Sequence, residues 1–269
     1  MTARSVLVGD VSGWWEASLR AVWCPGEVAE GVGGVVIVRW VTGFLDSPSR
    51  EAEPFWEAVT GWSLSSRRAG GRFATLVPGR GDACLRVQVV GEGPARAHLD
   101  LHVDDIGAAA ERVMGLGADA VADLGDVLVL RSPAGIVFCL VSWQGERVRP
   151  AGGDSVVDQL CLDVPAAVYE PEVEFWSAVT GWPVRATDLP EFSYLQRPAG
   201  MGLRLLLQRV GGAAAGVHVD FACTDVDAEV ARHVGCGAEV VRRVPGDWTT
   251  LRDPLGREYC VTGRRPLST

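Results

Sequence analysis

The sequence predicts an α+β protein made of two tandem copies of one domain. Three observations carry this. First, Phe55-Trp56-Glu57-Ala58-Val59-Thr60-Gly61-Trp62 returns as Phe175-Trp176-Ser177-Ala178-Val179-Thr180-Gly181-Trp182, with seven of eight residues identical at an offset of 120. Second, more blocks follow in the same order: Gln88 with Gln208, His98-Leu99-Asp100 with His218-Val219-Asp220, and Arg131-Ser132-Pro133-Ala134-Gly135 with Arg252-Asp253-Pro254-Leu255-Gly256. The last pair is followed by Cys139 in one copy and Cys260 in the other. Third, this period is too long for a solenoid unit and suits a duplicated domain.

Each element has a local reason. Val35 to Val41 is apolar and β-branched, the composition of a buried strand. Pro48 to Val59 reads as a helix that sets Phe55, Val59 and Trp62 on one face, and Gly61 suits the left-handed position that ends it. Phe73 to Val77, Cys84 to Val90 and His98 to Val103 read as strands. Ile106, Ala110 and Val113 mark a second amphipathic helix, closed by Gly117. Val127 to Leu130 and Ile136 to Val141 are strands joined by the turn Ser132-Pro133-Ala134-Gly135. The second copy repeats the pattern, with Val226, Val230 and Val234 on its last helix, so the chain holds four βαβββ modules in two pairs. The first domain is expected over 35–144 and the second over 155–265. The linker between them, 145–154, has Gly, Pro and Arg in place of the apolar pattern. Residues 1–34 lie outside the repeat and are expected to be partly disordered, with Val11, Trp14, Trp15, Ser18 and Val22 aligned on one side of a short helix.

Charge and cysteine usage narrow the function. The net charge of -9 offers no basic stripe for a phosphate backbone, so no nucleic-acid partner is expected. Seven cysteines with no C-x-x-C point to reduced, buried thiols in place of disulfides or a zinc knuckle. Asp10 and Glu16 interrupt any secretory core, and the run Val32 to Val41 is too short to span a bilayer. The expectation is a cytoplasmic protein with a small-molecule ligand and no membrane partner, either a monomer with internally paired domains or a homodimer.

The motifs F-W-x-x-x-x-G-W after the first strand, H-L-D-L-x-V-D-D at the start of the second module and S-P-x-G before the last strand resemble the glyoxalase/bleomycin-resistance/dioxygenase, or vicinal oxygen chelate, superfamily. The likeness is to its glyoxalase-like branch and spans both copies. It implies that each pair of βαβββ modules curls into one cupped mixed sheet. In metal-dependent members, four cup positions supply His, Gln or Glu to a divalent ion acting as a Lewis acid. Carried over by spacing from the aspartates Asp46, Asp105, Asp163 and Asp225 and from the turn prolines, those positions are Arg39, Gln88, His98 and Cys139 in the first cup. In the second they are Val156, Gln208, His218 and Cys260. Neither set includes a carboxylate for a hard cation, and Arg39 would repel one. The resemblance therefore implies no cofactor, with the second domain the better host should a divalent metal bind.

His98, Asp100 and His102 alternate along a strand and share a face. Two readings stay open for the His98–Asp100 and His218–Asp220 pairs: acid–base catalysis with the aspartate orienting the imidazole, or hydrogen bonding between strands. Cys139 and Cys260 suit buried strand thiols. Trp56, Trp62, Trp176 and Trp182 suit the core, and His233 a surface or helix-edge position. The expected function is binding of a small, mostly apolar, oxygen-bearing molecule in a cup, with His98 and His218 as the catalytic candidates if chemistry occurs. The alternative is a metal-dependent lyase, isomerase or dioxygenase.

Overall fold

The structure is a computed structural model and describes residues 38–266. The helix expected within the first 34 residues lies outside the described residues. The first copy runs β1 (Val38–Ser47), α1 (Glu53–Thr60), β2 (Ser63–Leu64), β3 (Phe73–Val77), β4 (Leu85–Val89), β5 (Arg96–Val103), α2 (Ile106–Gly115), β6 (Asp119–Asp123), β7 (Val127–Arg131) and β8 (Val137–Ser142). The second runs β9 (Ser155–Pro165), α3 (Tyr169–Thr180), β10 (Val184–Ala186), β11 (Phe192–Leu195), β12 (Arg204–Val210), β13 (Gly216–Cys223), α4 (Val226–Gly235), β14 (Glu239–Val244), β15 (Trp248–Arg252) and β16 (Glu258–Thr262).

Each copy forms one eight-stranded mixed sheet, ordered β2-β3-β4-β1-β5-β8-β7-β6 and β10-β11-β12-β9-β13-β16-β15-β14. The parallel pairs β1–β4 and β5–β8 close the two βαβββ modules, and the antiparallel pair β1–β5 joins them. The fold is the α+β tandem the repeat predicts.

The first strand and helix differ from expectation. β1 continues to Ser47, because Gly43 to Ser47 pair in register with Leu85 to Val89. The helix therefore starts at Glu53 in place of Pro48, with Pro54 in its first turn and Gly61 at φ 68° ending it. Asp46 lies inside this strand and caps no helix. Asp105 and Asp225 do cap helices, each accepting from the backbone N–H three residues on at 3.0 Å.

The two sheets pack back to back. A Cβ at Gly43 would lie 3.0 Å from Leu160 Cδ2, so the backbones approach where only glycine fits without displacing that leucine. One hydrophobic core takes in Leu45, Leu99 and Leu101 from the first sheet with Leu160, Leu162 and Val219 from the second. The first helix of each copy docks on the other copy. Trp56 of α1 meets Tyr259 at 5.3 Å between ring centres, and Trp176 of α3 meets Phe138 at 5.0 Å. Arg232 of α4 donates to the carbonyls of Ala58 and Val59, and Arg112 of α2 to that of Ala178, which neutralises helix C-termini across the junction. All four repeat tryptophans are buried. His233, expected at the surface, is fully buried: its ring bonds Tyr259 Oη at 2.9 Å and Glu229 Oε1 at 3.0 Å. The apolar period of α4 places it inward, where Tyr259 and Glu229 satisfy both nitrogens.

A buried ion pair joins the copies. Arg257 bonds Asp253 at 2.8 Å and also donates to Ser47 Oγ and to the carbonyls of Asp46 and Arg96, while Trp56 Nε1 donates to Asp253 at 2.9 Å. Removing one member of such a pair strands the other charge in a dry site. Arg257→Met is expected to lower unfolding free energy by about 3–5 kcal/mol in urea denaturation. A loss under about 1 kcal/mol would place this pair in the class of weak surface bridges and contradict the interpretation.

Candidate functional site

Strand register sets which side chains share the face turned away from the common core. In the first sheet Arg86, Phe44 and His98 form one row across β4, β1 and β5, and Thr42, Asp100 and Cys139 form the next across β1, β5 and β8. In the second sheet the rows are Leu206, Cys161 and His218, and Arg204, Gln159, Asp220 and Cys260. Alternation along each strand turns these groups to one side.

Two imidazoles stand at the centre. His98 Nδ1–H donates to Asp46 Oδ2 at 2.7 Å, and its Nε2 faces Asp100 Oδ1 at 3.6 Å. His218 is held alike, 3.2 Å from Asp163 through Nδ1 and 3.2 Å from Asp220 through Nε2, with Cys260 Sγ at 3.7 Å. Burial pulls both imidazoliums down in pKa. For His98 the field and hydrogen bonds of Asp46 and Asp100 outweigh it, and for His218 the field of Asp220 and the hydrogen bond of Asp163 act in the same sense, so both values rise well above the usual histidine range. Burial pushes the Cys139 thiol up to about 12 and raises that of Cys161, so neither is a ready thiolate.

Of the residues expected here, Gln88, His98, Asp100 and Cys139 come together, as do Gln208, His218, Asp220 and Cys260. Gln208 Oε1 lies 3.7 Å from Cys161 Sγ. Arg39 and Val156 do not belong to these groups. Arg39 is exposed and pairs with Asp104 at 2.7 Å, and Val156 is part of the common core. The corresponding positions are Phe44 and Cys161, five residues further along. The spacing from Asp46 and Asp163 failed because these aspartates sit in strands and clamp the histidines. The repulsion ascribed to Arg39 is therefore not exerted in the cup. His102 also lies apart in role: its Nε2 bonds Thr42 Oγ1 at 2.8 Å, and burial lowers its pKa.

A carboxylate does reach each cluster, though from β5 and β13 in place of the last strand. His98, Asp100 and Cys139, and likewise Cys161, His218 and Asp220, each offer ligand atoms within 4.8 Å of one another. Asp100 Oδ1 and Asp220 Oδ1 are buried and face the histidine Nε2 atoms at 3.6 and 3.2 Å, with no other polar partner among the described residues. Buried carboxylate oxygens need a cation or donor; the protonated imidazole supplies it, and a metal ion could take its place once Nε2 has lost its proton. The Asp–His arrangement, with Nδ1–H donating to a carboxylate and Nε2 turned to the cluster, is also how proteins orient a metal-binding imidazole. The nitrogen, oxygen and sulfur set fits a borderline ion such as zinc better than a hard one.

The cups differ. Phe44 stacks on His98 at 4.7 Å and 12°, and the Arg86 guanidinium lies 5.7 Å from the centre of the Phe44 ring. In the second copy the smaller Cys161 and Leu206 stand there, and a cavity of about 490 Å³ lies over His218 and Asp220, walled by Phe192, Tyr194 and Trp248. A groove of about 710 Å³ touches His98 and Cys139 on one side and His218 and Cys260 on the other, with Arg257 on its wall.

Back-to-back cupped sheets with histidine at the cup floor define a vicinal-oxygen-chelate architecture. The glyoxalase-like domain model matches residues 44–141 and 159–262, and the chain belongs to that family. No curated protein matches it in sequence. Among solved structures it is similar to the Mn(II)-bound glyoxalase from Novosphingobium aromaticivorans, with 16% identity, TM-score 0.58 and coverage of 87% of this chain and 86% of that one. It is also similar to the 2,3-dioxygenase LapB from Pseudomonas sp. KL28, with 13% identity, TM-score 0.59 and coverage of 87% and 96%. Against a xylose isomerase-like TIM barrel/4-hydroxyphenylpyruvate dioxygenase fusion protein, at 16% identity and TM-score 0.56, 90% of this chain spans 52% of that one. At these identities the likeness is one of fold. No helix among the described residues is long and apolar enough to cross a membrane.

The raised and lowered imidazoles give a direct expectation. In metal-free protein at about pH 7.5, where an ordinary histidine is mostly neutral, NMR of the ring protons should find two of the four histidines, His98 and His218, still protonated. His102 and His233 should be neutral, because burial lowers both. The stability these imidazoliums contribute is fully present below the unfolded value of about 6.5 and is lost as pH rises through the folded value. Neutral His98 and His218 at that pH would contradict the clamp.

Proposed function

We propose that the protein binds a small, mostly apolar, oxygen-bearing molecule in its second cup. The observation that carries this reading is the cavity of about 490 Å³ over His218, which has aromatic walls and a polar floor. Its size lies within the range of small-ligand sites, and a few converging polar groups in an apolar cleft supply orientation. The acidic net charge of -9 supports a small-molecule partner over nucleic acid. Phe44 stacks on His98 at the corresponding position of the first cup, where the second has the smaller Cys161. Transferring that difference tests the proposal. Cys161→Phe is expected to weaken binding of a neutral probe, 2-naphthylmethanol, by about tenfold or more in calorimetry, equivalent to about 1.4 kcal/mol, while the fold persists by circular dichroism. Equal affinity in the two proteins would refute placement of the ligand over Cys161.

The buried Asp100 and Asp220 oxygens beside the histidine Nε2 atoms support a second reading, a metal-dependent lyase, isomerase or dioxygenase. His98, Asp100 and Cys139 would hold an ion in the first cup, and Cys161, His218 and Asp220 in the second. Bound there, a metal would supply Lewis-acid polarisation of substrate oxygens. The clamped histidines must shed a proton from Nε2 first, so affinity should increase with pH. Zinc titrated into chelator-treated protein is expected to bind at micromolar affinity or tighter and to lose binding in Asp220→Asn and Asp100→Asn. Wild-type protein that takes up no zinc at any pH from about 6 to 9 would dispose of this reading.

A further inference from the structure

The floor of the second cup is crowded with cations. Arg204 Nε donates to Gln159 Oε1 at 2.7 Å, and its guanidinium lies over the Tyr194 ring at 4.6 Å. Its terminal nitrogens have no acceptor among the described residues, and Arg204 lines the cavity. Arg197 and Arg264 both pair with one carboxylate, that of Asp158. His218 lies 3.2 Å from both Asp163 and Asp220. Among the charged groups lining the cavity, Arg264 pairs with Asp158 and His218 contacts Asp220, while the guanidinium of Arg204 has no carboxylate partner among the described residues. Burial and the neighbouring Arg264 lower the Arg204 value to about 10, the direction expected of a desolvated cation short of negative charge.

We infer that the ligand of the second cup is a planar aromatic carboxylate, its acid group on the free end of Arg204 and its ring among Phe192, Tyr194 and Trp248. This rests on the reading of the second cup as the ligand site. A guanidinium end with two open N–H groups matches a carboxylate bidentately. The walls select for a ring: Phe192 and Trp248 meet edge to face at 5.5 Å, and both are half-buried beside Tyr194. Asp188 and Asp247 also line the cavity and oppose an anion, but both are exposed at its rim, where water and salt screen them, while Arg204 acts from a site mostly shielded from solvent. The buried arginine therefore outweighs them.

The test compares two probes of one shape, 2-naphthoate and neutral 2-naphthylmethanol, by calorimetry on chelator-treated full-length protein. Chelation removes any metal that would itself attract the acid. The wild type is expected to prefer the carboxylate by at least tenfold. Arg204→Gln should bring that ratio to about one, and Arg204→Lys, which keeps the charge without the fork, should restore part of it. Equal affinities in the wild type, or a preference that survives Arg204→Gln, would overturn the inference and leave the second cup as a site for neutral molecules. If the wild type binds neither probe, both the inference and the proposed ligand site fall.

Discussion

The close packing of the two sheets at Gly43 and Leu160 is the constraint on which the rest of the molecule depends. Each sheet is apolar on the face it turns to its twin, and burying that face frees the opposite one to carry polar groups. Burial of apolar surface contributes about 25 cal/mol per Å², enough to keep several buried charges in place. The exchange of α1 and α3 across the junction makes this burial mutual. Phe55 and Trp56 complete the core of the second copy, and Phe175 and Trp176 that of the first. A single copy would therefore expose an aromatic face, and the two cups hold their shape only as a pair.

Within that frame, duplication has produced two sites with one clamp and different contents. The Asp46–His98–Asp100 arrangement recurs as Asp163–His218–Asp220, because strand register and the aspartate inside the first strand of each copy are shared. What differs is the residue facing the histidine. Phe44 covers His98, while Cys161 leaves space above His218, and around that space stand Arg204, Tyr194 and Trp248. Their counterparts in strand register differ in the first copy, where Thr75 faces Arg86 as Tyr194 faces Leu206, and Val127 faces Val141 as Trp248 faces Thr262.

Much of this was legible in the sequence. The Phe-Trp and Gly-Trp blocks, the His-x-Asp pairs and the turn prolines have fixed local roles, so they identify the duplication and bring His98 with Cys139 and His218 with Cys260. The register of the first strand was not legible. Asp46 resembles a helix-opening residue, yet β1 continues through it, since its pairing with β4 is a tertiary contact with no local mark. The count then landed on Arg39 and Val156 in place of Phe44 and Cys161. The alternation of Thr42, Phe44 and Asp46 was the signal available, and it becomes informative only when set opposite His98 and Asp100. Arg204 and its aromatic neighbours escaped for a similar reason: they are not themselves repeated between the copies and meet only in the cup.

The difference between the cups is tested most directly by the stoichiometry of ligand binding. Calorimetric titration of full-length, chelator-treated protein with 2-naphthoate should reach equivalence at one molecule per chain, because Arg204, Tyr194 and Trp248 border the second cup alone. Two molecules per chain with similar affinity would contradict the account, since both cups would then bind alike and the divergence between them would have no consequence for binding.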